Sequence, residues 1–577
     1  MANDVTGDVS VSRGPRLWPA GVILGIQLLT LVLQVTPGIN NAVRFGYMMG
    51  GPALCVLLFL VWLLFFSRVG WGERLACLGA ALLGAGASAL LIDASMGVAM
   101  WIYGAPLSMA AVVLGLWLGR AQAMKRRFAG VAVLLVLVWS AFPLLRLEGF
   151  DGEYWPELRW RWSPTAEAGM MAAGEGAGPA KQAGKQGWTP GPAQWPMFRG
   201  AAQDSRVTGS GAASGVGTQA PPVLWRVPTG PAWSSFAYVG AMLYTQEQVG
   251  EQESITCRNA TTGELVWRNG FACRFSNVVA GAGPRATPTY VDGKLYTFGA
   301  KAILACQDAG TGEILWQHDL MAEVKASLPV WGFSSSPLVM AGKVMIYAGG
   351  EGDNGVMAFD AATGTVAWRY RSGGMNFSSL QRVTLAGQEL ALFGEGGGLV
   401  AFDPATGTVA WTYKPERWKG PAIVQPQQIG PESLIVPLGD GIGVARLEVK
   451  REGEAWKVSE RWSSRKLRPS FNDFVVHESA CYGFDNHLFV CIDVETGEQR
   501  WKHKGYGFGQ VLLLADVNRL VVTTEQGEVA FVAAEPGAFR EVGRYPVLKG
   551  KTWNHPVAAE GRLFVRNGEE TVALGLN

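Results

Sequence analysis

Asn472 and Asp473 carry the sharpest chemical signal in this 577-residue chain. A carboxamide beside a carboxylate, set between Phe471 and Phe474, is costly to bury without a partner. A metal ion at Asn472, or a general-base role for Asp473, would supply one. Local hydrogen bonding would do the same, and the residues alone leave both readings open. Arg285 pairs either with a ligand anion or with a nearby carboxylate. His555, placed before Pro556, meets a ligand or satisfies a turn. Further polar and aromatic residues recur at comparable places: Trp233, Ser234 and Ser235; Thr287; Trp331 and Ser334; Asn376 and Ser378; Gln425; Gln510; Trp553 and Asn554. Aromatic faces mixed with a few polar groups are the usual wall of a binding pocket. Serine and threonine at strand starts also serve simply to satisfy backbone. The five histidines show no zinc-ligand spacing, and no nucleotide-binding or nucleophile-elbow motif stands out.

The elements that would position these residues are legible as a repeat. Asp-x-x-Thr-Gly-x-x-x-Trp occurs at Asp308 to Trp316, Asp360 to Trp368, Asp403 to Trp411 and Asp493 to Trp501, and with Asn for Asp at Asn259 to Trp267. The tryptophans are spaced 49, 52, 43 and 90 residues apart, so one unit between 411 and 501 has lost the motif. The acidic side chain can accept from backbone N–H groups two residues on. Gly263, Gly312, Gly364, Gly407 and Gly497 supply the positive φ of a tight turn. Each tryptophan then lies on the outgoing strand, where its face packs between neighbouring sheets. A period of about 45 residues holds four short strands, one propeller blade.

Eight such units fit the region, the seventh degenerate at Glu535-Pro536-Gly537. The last unit is one strand short. Pro222 to Val227, with Trp225, reads as that missing outer strand, supplied from the other end of the domain so that no sheet edge stays open. The expected fold is therefore an all-β eight-bladed propeller over 195–577. In it the start of each innermost strand rings one mouth of the central channel.

Residues 1–147 differ in kind. Apolar runs near 17–35, 49–67, 74–92, 97–119 and 128–146 each approach the length of a bilayer-spanning helix. Arg13 and Arg16, Arg68 and Arg74, and Arg120, Lys125, Arg126 and Arg127 fall in alternate loops. With five spans they share one side, which the positive-inside rule makes cytoplasmic. The expectation is an inner (cytoplasmic) membrane protein with a cytoplasmic N-terminus and a periplasmic propeller. Residues 148–194 read as a flexible linker, poorest in large apolar side chains from Ala166 to Gly187. Tyr154, Trp155, Trp160 and Trp162 read as an interfacial collar.

Composition excludes some classes. A formal net charge of +2 gives no general nucleic-acid footprint. The seven cysteines contain no C-x-x-C. Cys257, Cys306 and Cys491 share one repeat position and read as core thiols, while Cys481 and Cys491 across a hairpin leave a disulfide open.

The repeated motif resembles the tryptophan-docking motif of pyrroloquinoline-quinone (PQQ)-like propellers. This family includes quinoprotein dehydrogenases and the BamB-type propeller of outer-membrane protein assembly. Trp195-Pro196-Met197-Phe198-Arg199-Gly200 is similar to the opening signature of an uncharacterised bacterial branch of it. The resemblance implies one of two functions. The first is a binding module for an extracytoplasmic protein or glycan. The second is a PQQ-dependent dehydrogenase passing electrons to membrane quinone. The second would need Asp473 as base, Asn472 near Ca²⁺, and charge from Arg285, Lys466, Arg468 and Lys551. It would also need stacking from Trp233, Trp331 or Trp553. The propeller lacks the long insertions and the adjacent cysteine pair of such enzymes, which favours binding.

Overall fold

The computed structural model describes residues 15–34, 36, 39, 41–174, 191–372, 374–418 and 420–577. The chain divides into two compact units, Met1–Ser163 and Pro164–Asn577.

The first unit is helical because its sequence is a series of apolar runs. Helices span Trp18–Gln34, Asn41–Val61, Trp71–Ala89, Ala105–Leu118 and Met124–Ala141. Three stretches, Val43–Phe66, Ala94–Leu118 and Met124–Leu144, are long and apolar enough to cross a membrane, and Trp18–Gln34 is shorter. Leu82, Leu83, Val133 and Val136 point outward, the reverse of a water-soluble bundle. Asp93 caps a short helical turn by accepting from the Ser95 N–H. Arg13 lies outside the described residues.

A hairpin, Leu145–Phe150 with Pro156–Trp160, closes this unit. The span read as linker from 148 is thus ordered at its start. Trp155, Trp160 and Trp162 are exposed, and the last two stack at 5.3 Å. Tyr154 departs from the expected collar: it is buried, and its carbonyl accepts from Gln34 Nε2.

The linker is ordered again at Ala166–Ala172, a short helix. Thr165 caps it, Met170 is fully buried, and Glu167 pairs with Arg274 at 3.0 Å and accepts from the Gly250 N–H. A capped turn with one apolar anchor and one ion pair holds to the propeller despite weak composition. Residues 175–190 of the expected tether lie outside the described residues.

The second unit is an eight-bladed propeller. Seven antiparallel sheets lie at 237–272, 289–319, 338–370, 381–413, 427–464, 475–503 and 510–546. The eighth joins 557–575 to Val223–Pro228, with Ala573 opposite Trp225, so the two ends of the domain close the ring as the sequence predicts.

The repeat motif works between blades. Asp308 Oδ1 accepts from the Gly310 and Thr311 N–H groups, and Asp360, Asp403 and Asp493 repeat the turn. At five interfaces a tryptophan lies on the turn glycine of the following blade: Trp225 on Gly263, Trp267 on Gly312, Trp316 on Gly364, Trp368 on Gly407 and Trp462 on Gly497. Its indole N–H donates to a carbonyl of that turn, as Trp267 does to Ala309 at 3.1 Å and Trp501 to Glu535 at 3.0 Å. Trp411 faces blade five, which has lost the motif, and its indole nitrogen has no hydrogen-bond partner among the described residues.

Gly312 shows the constraint most sharply. Its φ is +75°, and a Cβ there would sit 2.5 Å from the Trp267 ring. Gly312→Ala is expected to destabilise the propeller by about 1–2 kcal/mol. Urea unfolding checks this, and an unchanged midpoint would refute the packing argument.

All seven cysteines are free and buried. Cys257, Cys306 and Cys491 lie opposite Trp267, Trp316 and Trp501, where Ala358 and Ala401 serve the same purpose for Trp368 and Trp411. The position needs a small side chain beside a large one. Cys491 pairs with Tyr482, and Cys481 with Ile492. That register puts the two thiols on opposite faces, so the disulfide left open by the sequence does not form.

Candidate functional site

One residue per blade stands at the start of each innermost strand: Ser235, Thr287, Ser336, Ser379, Gln425, Asp473, Gln510 and His555. An innermost strand is a sheet edge, so its outward N–H groups have no ladder partner. Much of the ring supplies one. The Ser235 N–H donates to Thr287 Oγ1 (3.0 Å), Thr287 to Ser336 Oγ (2.9 Å), Ser336 to Ser379 Oγ (2.8 Å) and Asp473 to Gln510 Oε1 (3.1 Å). Ser235 Oγ donates to the His555 carbonyl.

The carboxamides do similar work. Asn376 Oδ1 accepts from the Ala422 N–H, Asn472 Nδ2 donates to Gly509, and Asn554 Nδ2 donates to Ala232 and Ser234. Gln510 Nε2 donates to the Phe471 and Trp553 carbonyls, and Ser334 Oγ to that of Phe377. Gln425 holds the blade-five position and is buried. Most of the polar ring is therefore a circumferential latch between blades.

The charged members have another partner. Residues 195–207 run across the ring and touch several blades. Trp195 exchanges two backbone hydrogen bonds with Tyr238 of blade one, and the Pro196 carbonyl accepts from Tyr290 of blade two. Gln203 binds Leu380 and Arg382 of blade four, the Asp204 carbonyl accepts from Gln427 of blade five, and Arg206–Val207 add a short parallel strand beside Gln510–Leu514 of blade seven. Arg199, Gln203 and Ser205 all have positive φ, an uncommon conformation that coils the segment tightly.

Arg199 sits at the centre. Its Nε lies 3.2 Å from Asp473 Oδ2, and it donates to Ser205 Oγ, Gln427 Oε1 and the Phe474 carbonyl. His555 Nε2 lies 3.3 Å from the same carboxylate oxygen, with the Phe198 ring edge-on at 4.8 Å. Burial pushes the His555 imidazole down to about 4; Asp473 opposes that shift and Arg199 adds to it. The imidazole is therefore neutral near pH 7. The sequence marked Asp473 and His555 separately. In the sequence Arg199 belongs only to the Trp195 to Gly200 signature, and its one local signal is a cation set between Phe198 and Gly200.

Along their inner strands Trp233, Phe471, Phe508 and Trp553 come two residues before the ring position, whereas the segment 195–207 meets the ring residues Asp473 and His555 themselves and residues after them. Trp233 and Trp553 meet at 4.9 Å, Trp553 and Phe471 at 4.8 Å, and Phe471 stacks on Phe508 at 5.5 Å. Trp553 Nε1 donates to Glu525 Oε1, and Lys551 Nζ lies over both tryptophan rings. All four rings of this row on blades one, six, seven and eight are half-buried or buried. Trp331 is apart from it, against Phe377.

The groups do not fit PQQ with Ca²⁺. Asp473 faces a guanidinium, which repels a dication and occupies the side of the carboxylate a metal would need. Arg285 donates to the Gly281 and Gly283 carbonyls over the Phe275 ring. Arg468 pairs with Asp485, and Lys466 is exposed. Of the four expected cations, only Lys551 lies at the aromatic row.

Residues 223–420 match the sequence model of the family PQQ_2, outer membrane protein assembly factor BamB. No curated protein matches the chain. Among solved structures, quinohemoprotein alcohol dehydrogenase from Comamonas testosteroni superposes with a TM-score of 0.51 at 13% identity, covering 66% of this chain and 80% of that one. BamB from Moraxella catarrhalis gives 0.44 at 14% identity, covering 62% and 100%. At 13% identity the first of these speaks for the fold alone. The chain carries an eight-bladed propeller, and residues 223–420 within it match the PQQ-like repeat family.

Proposed function

We propose that this chain is a membrane-anchored, non-catalytic binding propeller that offers its aromatic mouth to an extracytoplasmic protein or glycan. One observation carries the reading: Asp473, the candidate base, is tied to Arg199 and His555, while the row Trp233, Trp553, Phe471 and Phe508 takes no part in that cluster. Clustered aromatic side chains are the usual anchors of recognition surfaces. The three long apolar helices support anchoring, and the basic loops that alternate between them support a cytoplasmic N-terminus and a periplasmic propeller.

A photo-crosslinking residue at position 553 is expected to trap a partner in native membranes, and one at position 451 on the outer hairpin of blade five to trap none. Trp553→Ala should weaken the captured partner's binding by about 30-fold, the size of a central aromatic anchor. Equal labelling from both positions would defeat the assignment of the mouth. Titrating PQQ with Ca²⁺ into the detergent-solubilised chain should give no saturable tryptophan quench. Saturable micromolar binding that is lost in Asp473→Ala would restore the dehydrogenase reading.

A further inference from the structure

The helical unit holds a groove of about 460 Å³ between Ala105–Leu118 and Met124–Ala141. That volume lies within the range of small-molecule sites, about 300–1,000 Å³. Its walls divide by chemistry. Leu118, Val133 and Leu134 form an apolar flank, and Arg126 and Arg127 stand at one end. Glycines set its shape. Gly115 and Gly119 bring the two helices together, since a Cβ on either would strike Val131 or Arg127 within 2.7 Å. Gly130 leaves the space open: a Cβ there meets nothing within 4 Å.

The charge at that end is not balanced. Arg127 is bound through two nitrogens to Glu73, at 2.8 and 2.7 Å, and this carboxylate is buried. Arg126 is exposed and has no carboxylate partner among the described residues, nor have its neighbours Arg120 and Lys125. An apolar trough with unpaired guanidinium at its rim fits a ligand that joins an anion to a hydrocarbon chain. Basic pockets between membrane helices on the cytoplasmic side bind such headgroups.

We propose that this groove holds one anionic phospholipid, its phosphate on Arg126 and its acyl chain along Leu118, Val133 and Leu134. The proposal rests on the membrane-anchored reading above.

Native mass spectrometry of the full chain in detergent, titrated with phosphatidylglycerol or phosphatidylcholine, tests it. The wild type is expected to retain one phosphatidylglycerol with at least a tenfold preference. Arg126→Gln should cut that preference at least fivefold. Gly130→Leu keeps every charge, improves helix propensity and fills the trough, so it should abolish retention. Arg68→Gln removes an exposed cation from another loop and should change nothing. Three results would overturn the proposal: equal retention of the two lipids, an Arg68→Gln loss as large as that of Arg126→Gln, or retention in Gly130→Leu. Displacement by millimolar inorganic phosphate would show a headgroup-only anion site and would also overturn it. Carbonate extraction of native membranes tests the anchoring separately: release fails that reading alone, and the variant comparison in detergent still decides the groove.

Discussion

Arg199→Ala is expected to lower the stability of the propeller by about 3–5 kcal/mol, the cost of breaking a buried ion pair from one side. Arg199 and Asp473 have side-chain exposures of 0% and 2%, so water cannot replace the lost guanidinium. The neutral His555 is a poor substitute for a cation. The alanine variant also leaves Gln427 Oε1 and the Phe474 carbonyl without a donor they now use. Removing both charges has the opposite logic. Arg199→Met with Asp473→Leu eliminates two desolvated ions together, and most of the lost stability should return. Urea unfolding, followed through the propeller's own fluorescence transition, measures both. A loss under about 1 kcal/mol in the single variant would mean that the plug does not rely on this pair.

Acid is expected to destabilise the propeller through His555. The imidazole lies at about 4 in the folded protein against an ordinary value of 6.5. Below pH 6.5 the unfolded chain takes up a proton that the folded one refuses. Stability is therefore complete above about pH 6.5 and falls as pH drops toward 4, by up to about 3 kcal/mol. Glu253 acts with the opposite sign. Burial raises its carboxyl from 4.5 to about 7, so its ionisation on raising the pH through that window disfavours the fold. The wild-type profile mixes the two. The difference between wild type and His555→Gln isolates the histidine, because Glu253 is common to both. That difference should change between pH 7 and 4.5 and level off above pH 7. A constant offset across the range would show that His555 is not held neutral by its surroundings.

The two variants probe the same buried cluster in the channel. The segment 195–207 enters the ring with a cation, and the ring answers with one carboxylate and one neutral imidazole. The aromatic row Trp233, Trp553, Phe471 and Phe508 is not part of that exchange.

Some of this was legible in the sequence because its causes are local. Asp-x-x-Thr-Gly-x-x-x-Trp encodes a turn and the strand that leaves it, so its recurrence counts blades without reference to the chain's path. Even the closing strand at Trp225 was readable, since an unfinished final blade needs an outer strand and Pro222 to Val227 stands before the first blade. The shared repeat position of Cys257, Cys306 and Cys491 was legible for the same reason, whereas their place opposite a tryptophan came from the register.

The candidate site was legible only in part. Asn376, Asn472, Asn554 and Gln510 were chosen as ligand contacts because polar residues at an inner strand need partners. Those partners turned out to be backbone groups of adjacent blades, a choice no local pattern contains. The helix Ala166–Ala172 was missed because its stability comes from Arg274 and a buried Met170, not from composition. The register that separates Cys481 from Cys491 is likewise fixed by pairing rather than by spacing.

By itself, then, the sequence determined the repeat, the blade count and the apolar helices, since turn chemistry and side-chain period act over a few residues. Only the tertiary structure decided that Arg199 meets Asp473 and His555, three residues far apart in the chain. Ring closure brings the ends of a propeller together, and no short-range rule encodes which side chains then face each other across the channel.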